Sequence, residues 1–270
     1  DLDEFASITA KAAADGIITS TLGYGRGYDE TLLSAIAGSG NGNHVFADDP
    51  DAAGAAIAGE VDGLLSKSAQ AVTLTVRYIQ KVTELSLYND LPAHQIGDGE
   101  VMIELGDLYA AEARKLLLRM KVDALASLGL AQLAMLELRY VQTATLTEHT
   151  VTLPISVNVV PGDELGTRVP DPTVVSEKLY QEGQADKLRA SRAYEAGDLG
   201  AGNALLATAS SKIRSAMMAA PAADHAAFDD ELSMIDGLSA QAVTAGSAYA
   251  SKMSRDSYHA GNRKRGRKRS

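Results

Sequence analysis

The sequence of 270 residues contains no cysteine and no tryptophan, and it has only three phenylalanines. Without cysteine the chain can form no disulfide, no thiolate zinc site and no cysteine nucleophile. Because large aromatic side chains are scarce, the cores must be built from alanine, leucine, isoleucine, valine and methionine. No apolar stretch approaches the roughly 20 residues that a membrane-spanning helix needs.

The first residues also lack an initiator methionine and a charged-then-apolar signal segment. Asp1 opens directly into a sequence typical of a helix, so we expect that the natural start of the protein lies elsewhere. The sequence does not identify the compartment, and a cytoplasmic location is only slightly favoured.

The charge of the chain is unevenly distributed. The net charge is −10, but residues 252–270 carry eight basic residues and one acid, which leaves the rest of the chain strongly acidic. An acidic body should repel nucleic acid and anionic lipid. The basic runs at 263–265 and 267–269 could bind phosphate. A solvated, disordered tail over 251–270 is the favoured interpretation, and nucleic acid is not expected as a partner except through this tail.

Residues 1–70 alternate helical and strand patterns. An alanine-rich helix precedes the β-branched run 17–22, which is typical of a buried parallel strand. Asp29 can cap a second helix, residues 43–47 form a second short strand, and 49–51 can start a third helix. This order predicts a parallel α/β sheet. Two strands are too few for such a sheet, so we expect half of a doubly wound domain to be missing and this zone to be the least stable.

Residues 71–163 change to a period of two, with several short runs that carry one apolar face. This pattern predicts an antiparallel β-sandwich, and Pro154 in the last run indicates an edge strand. Residues 171–250 are helical, beginning at Asp171-Pro172 and turning at Gly197-Asp198. They predict a helical hairpin or a small three-helix bundle. The expected fold is therefore α/β, then all-β, then α.

Residues 17–37 closely resemble the last third of bacterial von Willebrand factor A domains. The resemblance lies in Ile17 to Gly25, a strand of the form I-x-x-x-T-x-G-x-G, followed by Tyr28-Asp29-Glu30-Thr31-Leu32-Leu33. The segment Leu105-Gly106-Asp107-Leu108-Tyr109 and the segment 157–163 resemble the sandwich that follows this domain in one bacterial subgroup.

The resemblance implies a doubly wound sheet with a metal-ion-dependent adhesion site at its upper edge. In that family an Asp-x-Ser-x-Ser motif, a threonine and a further aspartate hold Mg²⁺, which prefers oxygen ligands. No Asp-x-Ser-x-Ser occurs in this sequence. We therefore assign no metal or cofactor residue to this chain, although Mg²⁺ could bind in a longer protein. Tyr24, Arg26 and Tyr28 could border a partner surface on the complete domain.

The other candidate sites in the sequence have simpler structural explanations. The glycine-rich turn 23–27 matches neither the dinucleotide fingerprint nor the P-loop, so a turn is favoured over a phosphate site. Asp48, Asp49 and Asp51 fit a helix cap better than a calcium site. The histidines lie in different zones without a metal-like spacing, and no catalytic constellation is found.

These observations favour a non-catalytic protein-binding or scaffolding protein over an enzyme. An accessory subunit of an ATPase or metal-insertion complex is one alternative, and a nucleic-acid contact through the basic tail is another. The sequence does not identify the partner or the oligomeric state.

Overall fold

The structure is a computed structural model that describes residues 2–25, 27–65, 67–110, 113–125, 127–162, 164 and 169–266, without the side chains of 61–65 and 260–266. Its first part, the A-like unit, alternates helices and strands as the sequence predicts. These elements are α1 (Leu2–Ala14), β1 (Thr19–Tyr24), α2 (Glu30–Ser39), β2 (Asn41–Ala47) and α3 (Pro50–Leu65).

Strands β1 and β2 pair in parallel and form a two-stranded sheet. Asp29 caps α2, because its carboxylate accepts a hydrogen bond from the backbone N–H of Leu32 at 2.9 Å. Asp49 does the same for Ala52 at the start of α3, at 2.7 Å. Parallel pairing and both caps thus follow the sequence pattern.

The second part is a β-sandwich. A five-stranded antiparallel sheet has the order β5-β6-β3-β8-β9, and a two-stranded sheet, β4-β7, packs on it. The edge position predicted for the Pro154 strand is confirmed, because β9 ends the sheet. The strands are β3 (Lys67–Tyr78), β4 (Val82–Leu87), β5 (Ala93–Gly97), β6 (Glu100–Tyr109), β7 (Leu118–Val122), β8 (Gly129–Gln142) and β9 (Thr147–Val159).

The third part is a helical bundle around a core that includes Tyr194, Leu206, Ile213, Phe228 and Ile235. Asp171 caps its first helix, and Asp198 caps the second. None of the helices in the described part of the chain is both long and apolar enough to span a membrane. The bundle consists of α4 (Pro172–Glu195), α5 (Leu199–Ala219), a 3-10 turn (Ala222–Asp224), α6 (His225–Ala245) and α7 (Ser247–Gly266).

Helix α7 replaces most of the disordered tail that the sequence suggested for 251–270. Its inward side chains Lys252, Arg255 and Tyr258 are at most 5% exposed. They are buried because they find partners on α2, on α4 and in the sandwich. The basic runs at 263–265 and 267–269, which could bind phosphate, lie outside the described side chains.

Helix α1 is weakly anchored. It contributes no buried residue, and Phe5 and Ile8 are 46% and 58% exposed. We expect amides of residues 2–65 to exchange with solvent faster than those of β3 and β6, because few apolar contacts oppose local opening. Hydrogen exchange read by mass spectrometry measures this order. Slower exchange in the A-like unit than in the sandwich would contradict the prediction.

Candidate protein-interaction surface

The two parallel strands end at the same edge of the A-like unit. Tyr24 pairs with Ala47, and the N–H of Gly25 donates to the carbonyl of Ala47 at 2.9 Å. The backbone of Tyr24 is therefore fixed, while its side chain remains 55% exposed. Asp48 and Asp49 directly follow β2 and are also exposed. We call Tyr24, Asp48 and Asp49 the strand-end surface.

Tyr28 lies beneath this surface, although the sequence suggested that it would border a partner. Its ring fills the space beside Gly23, where an added Cβ would come within 2.1 Å of the ring. Burial raises the pKa of the Tyr28 phenol above its ordinary value, and the charges of Glu30 and Asp256 act in the same direction. Tyr28 therefore packs against β1 at Gly23 and against β2 at Phe46. Arg26, the other residue suggested there, lies outside the described residues.

Helix α7 holds Tyr28 in place. The Lys252 ammonium lies 4.1 Å from the centre of the Tyr28 ring and donates to the Tyr28 carbonyl at 2.8 Å. The same ammonium forms a buried ion pair with Glu30, which also accepts from the Ser251 hydroxyl at 3.0 Å. These contacts join residues more than 220 positions apart. No local pattern in the sequence could indicate them.

Arg255 makes a second connection, one turn further along α7. Its guanidinium donates to Thr31 on α2 at 2.7 Å and to Glu195 on α4 at 3.1 Å. Thr31 in turn donates to Glu195 at 2.9 Å. The A-like unit and the bundle are thus joined through a closed set of charge-assisted hydrogen bonds.

Two histidines that the sequence placed in separate zones meet at this junction. His44 on β2 is 1% exposed, and its ring centre lies 5.6 Å from that of His259 on α7. Thr21 has one hydroxyl hydrogen and donates it to the Leu33 carbonyl at 2.9 Å, so the Nδ1 of His44 must be the donor in its 2.9 Å bond to Thr21. His259 bonds to Ser34 at 2.6 Å. The pair serves to pack α7 onto β2.

A cavity of about 750 Å³ lies where α2, α4 and α7 meet the sandwich. The carboxylates that line this cavity accept hydrogen bonds from other parts of the chain. We therefore interpret the cavity as a space within the junction and not as a ligand site. The pairs are Asp90 with Tyr258 at 2.7 Å, Glu104 with Asn41 at 3.0 Å, and Glu195 with Arg255 at 3.1 Å.

The residues that the structure describes do not fit a magnesium site. Within the described ranges, no group of three or more histidine, aspartate or glutamate side chains is arranged to hold a metal ion. Of the acids considered for calcium, Asp49 is used as a helix cap.

Comparison with solved structures gives the fold. A von Willebrand factor type A protein from Catenulispora acidiphila superimposes with a TM-score of 0.57 and 14% identity, over 85% of this chain and 54% of that one. The chain has a von Willebrand factor A-like fold. The ArnB paralog VWA2 from Sulfolobus acidocaldarius gives a TM-score of 0.47 and 13% identity, over 91% of this chain and 56% of that one.

The chain thus spans about half the length of each of these A-type structures. No protein-family model matches the sequence, and no curated protein does. The mixed α/β, all-β and α architecture predicted from the sequence is consistent with a partial A-type fold. The comparisons give no support to the alternative of a subunit of an ATPase or metal-insertion complex.

We expect the Glu30–Lys252 pair to make the junction sensitive to acid. Burial favours the neutral form of Glu30, but hydrogen bonds from Lys252, its own backbone N–H and Ser251 outweigh it and lower the pKa of Glu30. A lowered pKa stabilises the fold above the ordinary glutamate value of about 4.3, and this stability is lost as the pH falls through the folded-state value. We expect Glu30→Gln to flatten the pH dependence of the free energy of unfolding below about pH 4.3.

Urea unfolding at neutral and acidic pH measures this effect. Glu84→Gln is the matched control, because Glu84 is an exposed glutamate of the sandwich and should leave the pH dependence as it is in the unmodified chain. An equal pH dependence for the unmodified chain and Glu30→Gln would show that the pair contributes nothing to acid sensitivity.

Proposed function

We propose that this chain is a non-catalytic protein-binding or scaffolding protein that uses no cofactor of its own and binds a partner through the strand-end surface. The observation that carries the proposal is the exposed ring of Tyr24, held on a fixed backbone at the carboxyl edge of the parallel strands. Ligands of α/β sheets bind at this edge. Exposed tyrosines are also enriched among the residues that dominate protein interfaces.

The surroundings of Tyr24 support recognition of a protein. Asp48 and Asp49 lie beside it and give this edge a negative charge. A partner with a basic group next to an apolar pocket would complement both features. The supporting layer of Tyr28 and Lys252 fixes the surface before binding, which reduces the ordering cost of association.

The way the three parts are joined supports a scaffolding role. Helix α7 contacts the A-like unit through Glu30, the bundle through Glu195, and the sandwich through Asp90. A partner held at the strand-end surface would therefore be placed at a fixed position relative to the sandwich. This is a geometric property that a scaffold requires and catalysis does not.

Site-specific photo-crosslinking tests the proposal. A photoreactive phenylalanine is placed at position 24 and, as the control, at position 243 on α6, where Val243 is 74% exposed. In cells that naturally contain the protein, we expect a discrete protein adduct from position 24 that is absent from position 243, and we expect Asp48→Lys to reduce it. Adducts that do not differ between the two positions would contradict a binding role for this surface.

A further inference from the structure

Helix α7 has a polar buried side. Helix α5 buries the apolar residues Leu206, Ala209, Ile213 and Ala216. In α7, the described side chains that are at most 5% exposed include only two apolar or aromatic ones, and the full set is Ala250, Ser251, Lys252, Ser254, Arg255, Ser257 and Tyr258. The burial of apolar surface is the dominant favourable term in packing. Helix α7 therefore gains less than α5 from lying against the rest of the chain.

The contacts between α7 and α4 include hydrogen bonds that water can replace. The Ser191 hydroxyl donates to the Ser251 carbonyl at 3.0 Å, and the Lys187 ammonium donates to the Ser257 carbonyl at 3.0 Å. Such bonds contribute little net stability, because both groups bond to water when they separate. The Ser254 hydroxyl is 0% exposed and, within the described part of the chain, has no hydrogen-bond partner. Water would satisfy it only when α7 opens.

The two ion pairs of α7 fix its position without making its release costly. Lys252 pairs with Glu30 on α2, and Arg255 pairs with Glu195 on α4. When the helix leaves, both partners of each pair regain their hydration together, and this offsets most of the attraction that is lost. A substitution that removes one partner is different, because it leaves the other charge desolvated while the helix is docked.

We propose that α7 is a releasable strap, which detaches as one unit from α2, β2 and α4 while the sandwich and the rest of the bundle stay folded. Local openings have low free energies where few apolar contacts are buried. In the released state, the rings of His44 and Phe46 on β2 lose their contacts with His259 and Tyr249. The strap therefore determines whether the three parts keep a fixed arrangement. Its release is independent of any partner at the strand-end surface.

The chain contains no cysteine, so a single introduced cysteine reports the opening of its own surroundings. Ser254→Cys places a thiol of nearly the same size on the buried side of α7, and Ala209→Cys places one in the core of α5, where Ala209 is 0% exposed. A thiol-reactive reagent added under native conditions should label Ser254→Cys at least about tenfold faster than Ala209→Cys. Urea should accelerate the labelling of Ser254→Cys only weakly, because the release of one helix exposes little surface. Circular dichroism verifies that both variants are folded.

A disulfide between α4 and α7 provides a reversible lock. The hydroxyl oxygens of Ser191 and Ser251 lie 3.3 Å apart, which suits the short span of a disulfide. In the double variant Ser191→Cys with Ser251→Cys, hydrogen exchange in α7 should be at least about tenfold slower when the disulfide is oxidised than after its reduction. The amides of α5 should respond less, because α5 does not open with α7.

Fast labelling of Ser254→Cys that urea barely accelerates, together with slower exchange in the oxidised double variant, supports the strap. Equal labelling rates for Ser254→Cys and Ala209→Cys overturn it, because α7 would then open only with the whole bundle. A disulfide that leaves exchange in α7 unchanged also overturns it. Should a cysteine variant fail to fold, hydrogen exchange of the unmodified chain makes the same comparison, and equal protection of α7 and α5 contradicts a separate release.

Discussion

Replacing Lys252 by methionine is expected to destabilise the chain by about 3–5 kcal/mol, because it removes one partner of a buried ion pair. Glu30 is 8% exposed, and without Lys252 its carboxylate would keep the Ser251 hydroxyl but no cation. The Tyr28 carbonyl would lose its donor as well. Methionine fills much of the same volume, so the loss would report the charge and not a cavity.

The damage should be concentrated at helix α7. Urea unfolding measures the change in free energy, and hydrogen exchange should show faster exchange in α7 and in β2, which it covers. Lys178→Met is the matched control, because Lys178 forms a partly exposed i,i+4 pair with Glu182 and its loss should cost no more than about 0.5 kcal/mol. A Lys252→Met protein less than about 1 kcal/mol below the unmodified chain would mean that the buried pair does not hold the helix.

The A-like unit could be predicted because its signals are local. A β-branched run, a capping aspartate and a glycine-rich turn each report on their own neighbourhood, and together they specify strand, helix and strand. Asp29 caps α2 as expected. The larger sandwich strands were also predictable, because a covered face alternates with an uncovered one.

Strands β4 and β5 lacked such a signal. In β5 only Ile96 is a large apolar residue, and it is 50% exposed, so no alternation appears. In β4, Thr83 and Glu84 are both exposed and interrupt the pattern. Both strands form because neighbours supply the pairing, which a single sequence does not reveal.

Helix α7 shows most clearly what could not be predicted from the sequence. Lys252 and Arg255 are three positions apart and share a helical face, but charged residues are usually solvated, and their composition suggested a tail. They are buried because they form ion pairs with Glu30 on α2 and with Glu195 on α4. The same helix moves Tyr28 from the expected surface into a supporting layer. The sequence therefore indicated where Tyr24 lies, but it did not indicate that Tyr28 packs beneath helix α7.

Glu231→Ala is also expected to destabilise the chain by about 3–5 kcal/mol, because it removes one partner of a buried ion pair in the bundle. Lys187 is 0% exposed and Glu231 1% exposed, and they form an ion pair. Glu231 also accepts from Gln184 at 3.0 Å. Without the carboxylate, Lys187 would retain the Ser257 carbonyl at 3.0 Å but lose this ion pair.

Urea unfolding of Lys187→Met, of Glu231→Leu and of the two combined separates the cost of losing one partner from the value of the pair. Lys187→Met combined with Glu231→Leu removes both charges, so no ion is left desolvated, and buried pairs replaced in this way often lose little stability. We expect the double variant to regain most of what Glu231→Ala loses. Glu182→Ala, at the end of a partly exposed pair, should cost no more than about 0.5 kcal/mol and is the control. If the double variant is as unstable as Glu231→Ala, the stability depends on the hydrogen bonds of Gln184 and Ser257, and the charge itself is not the cause.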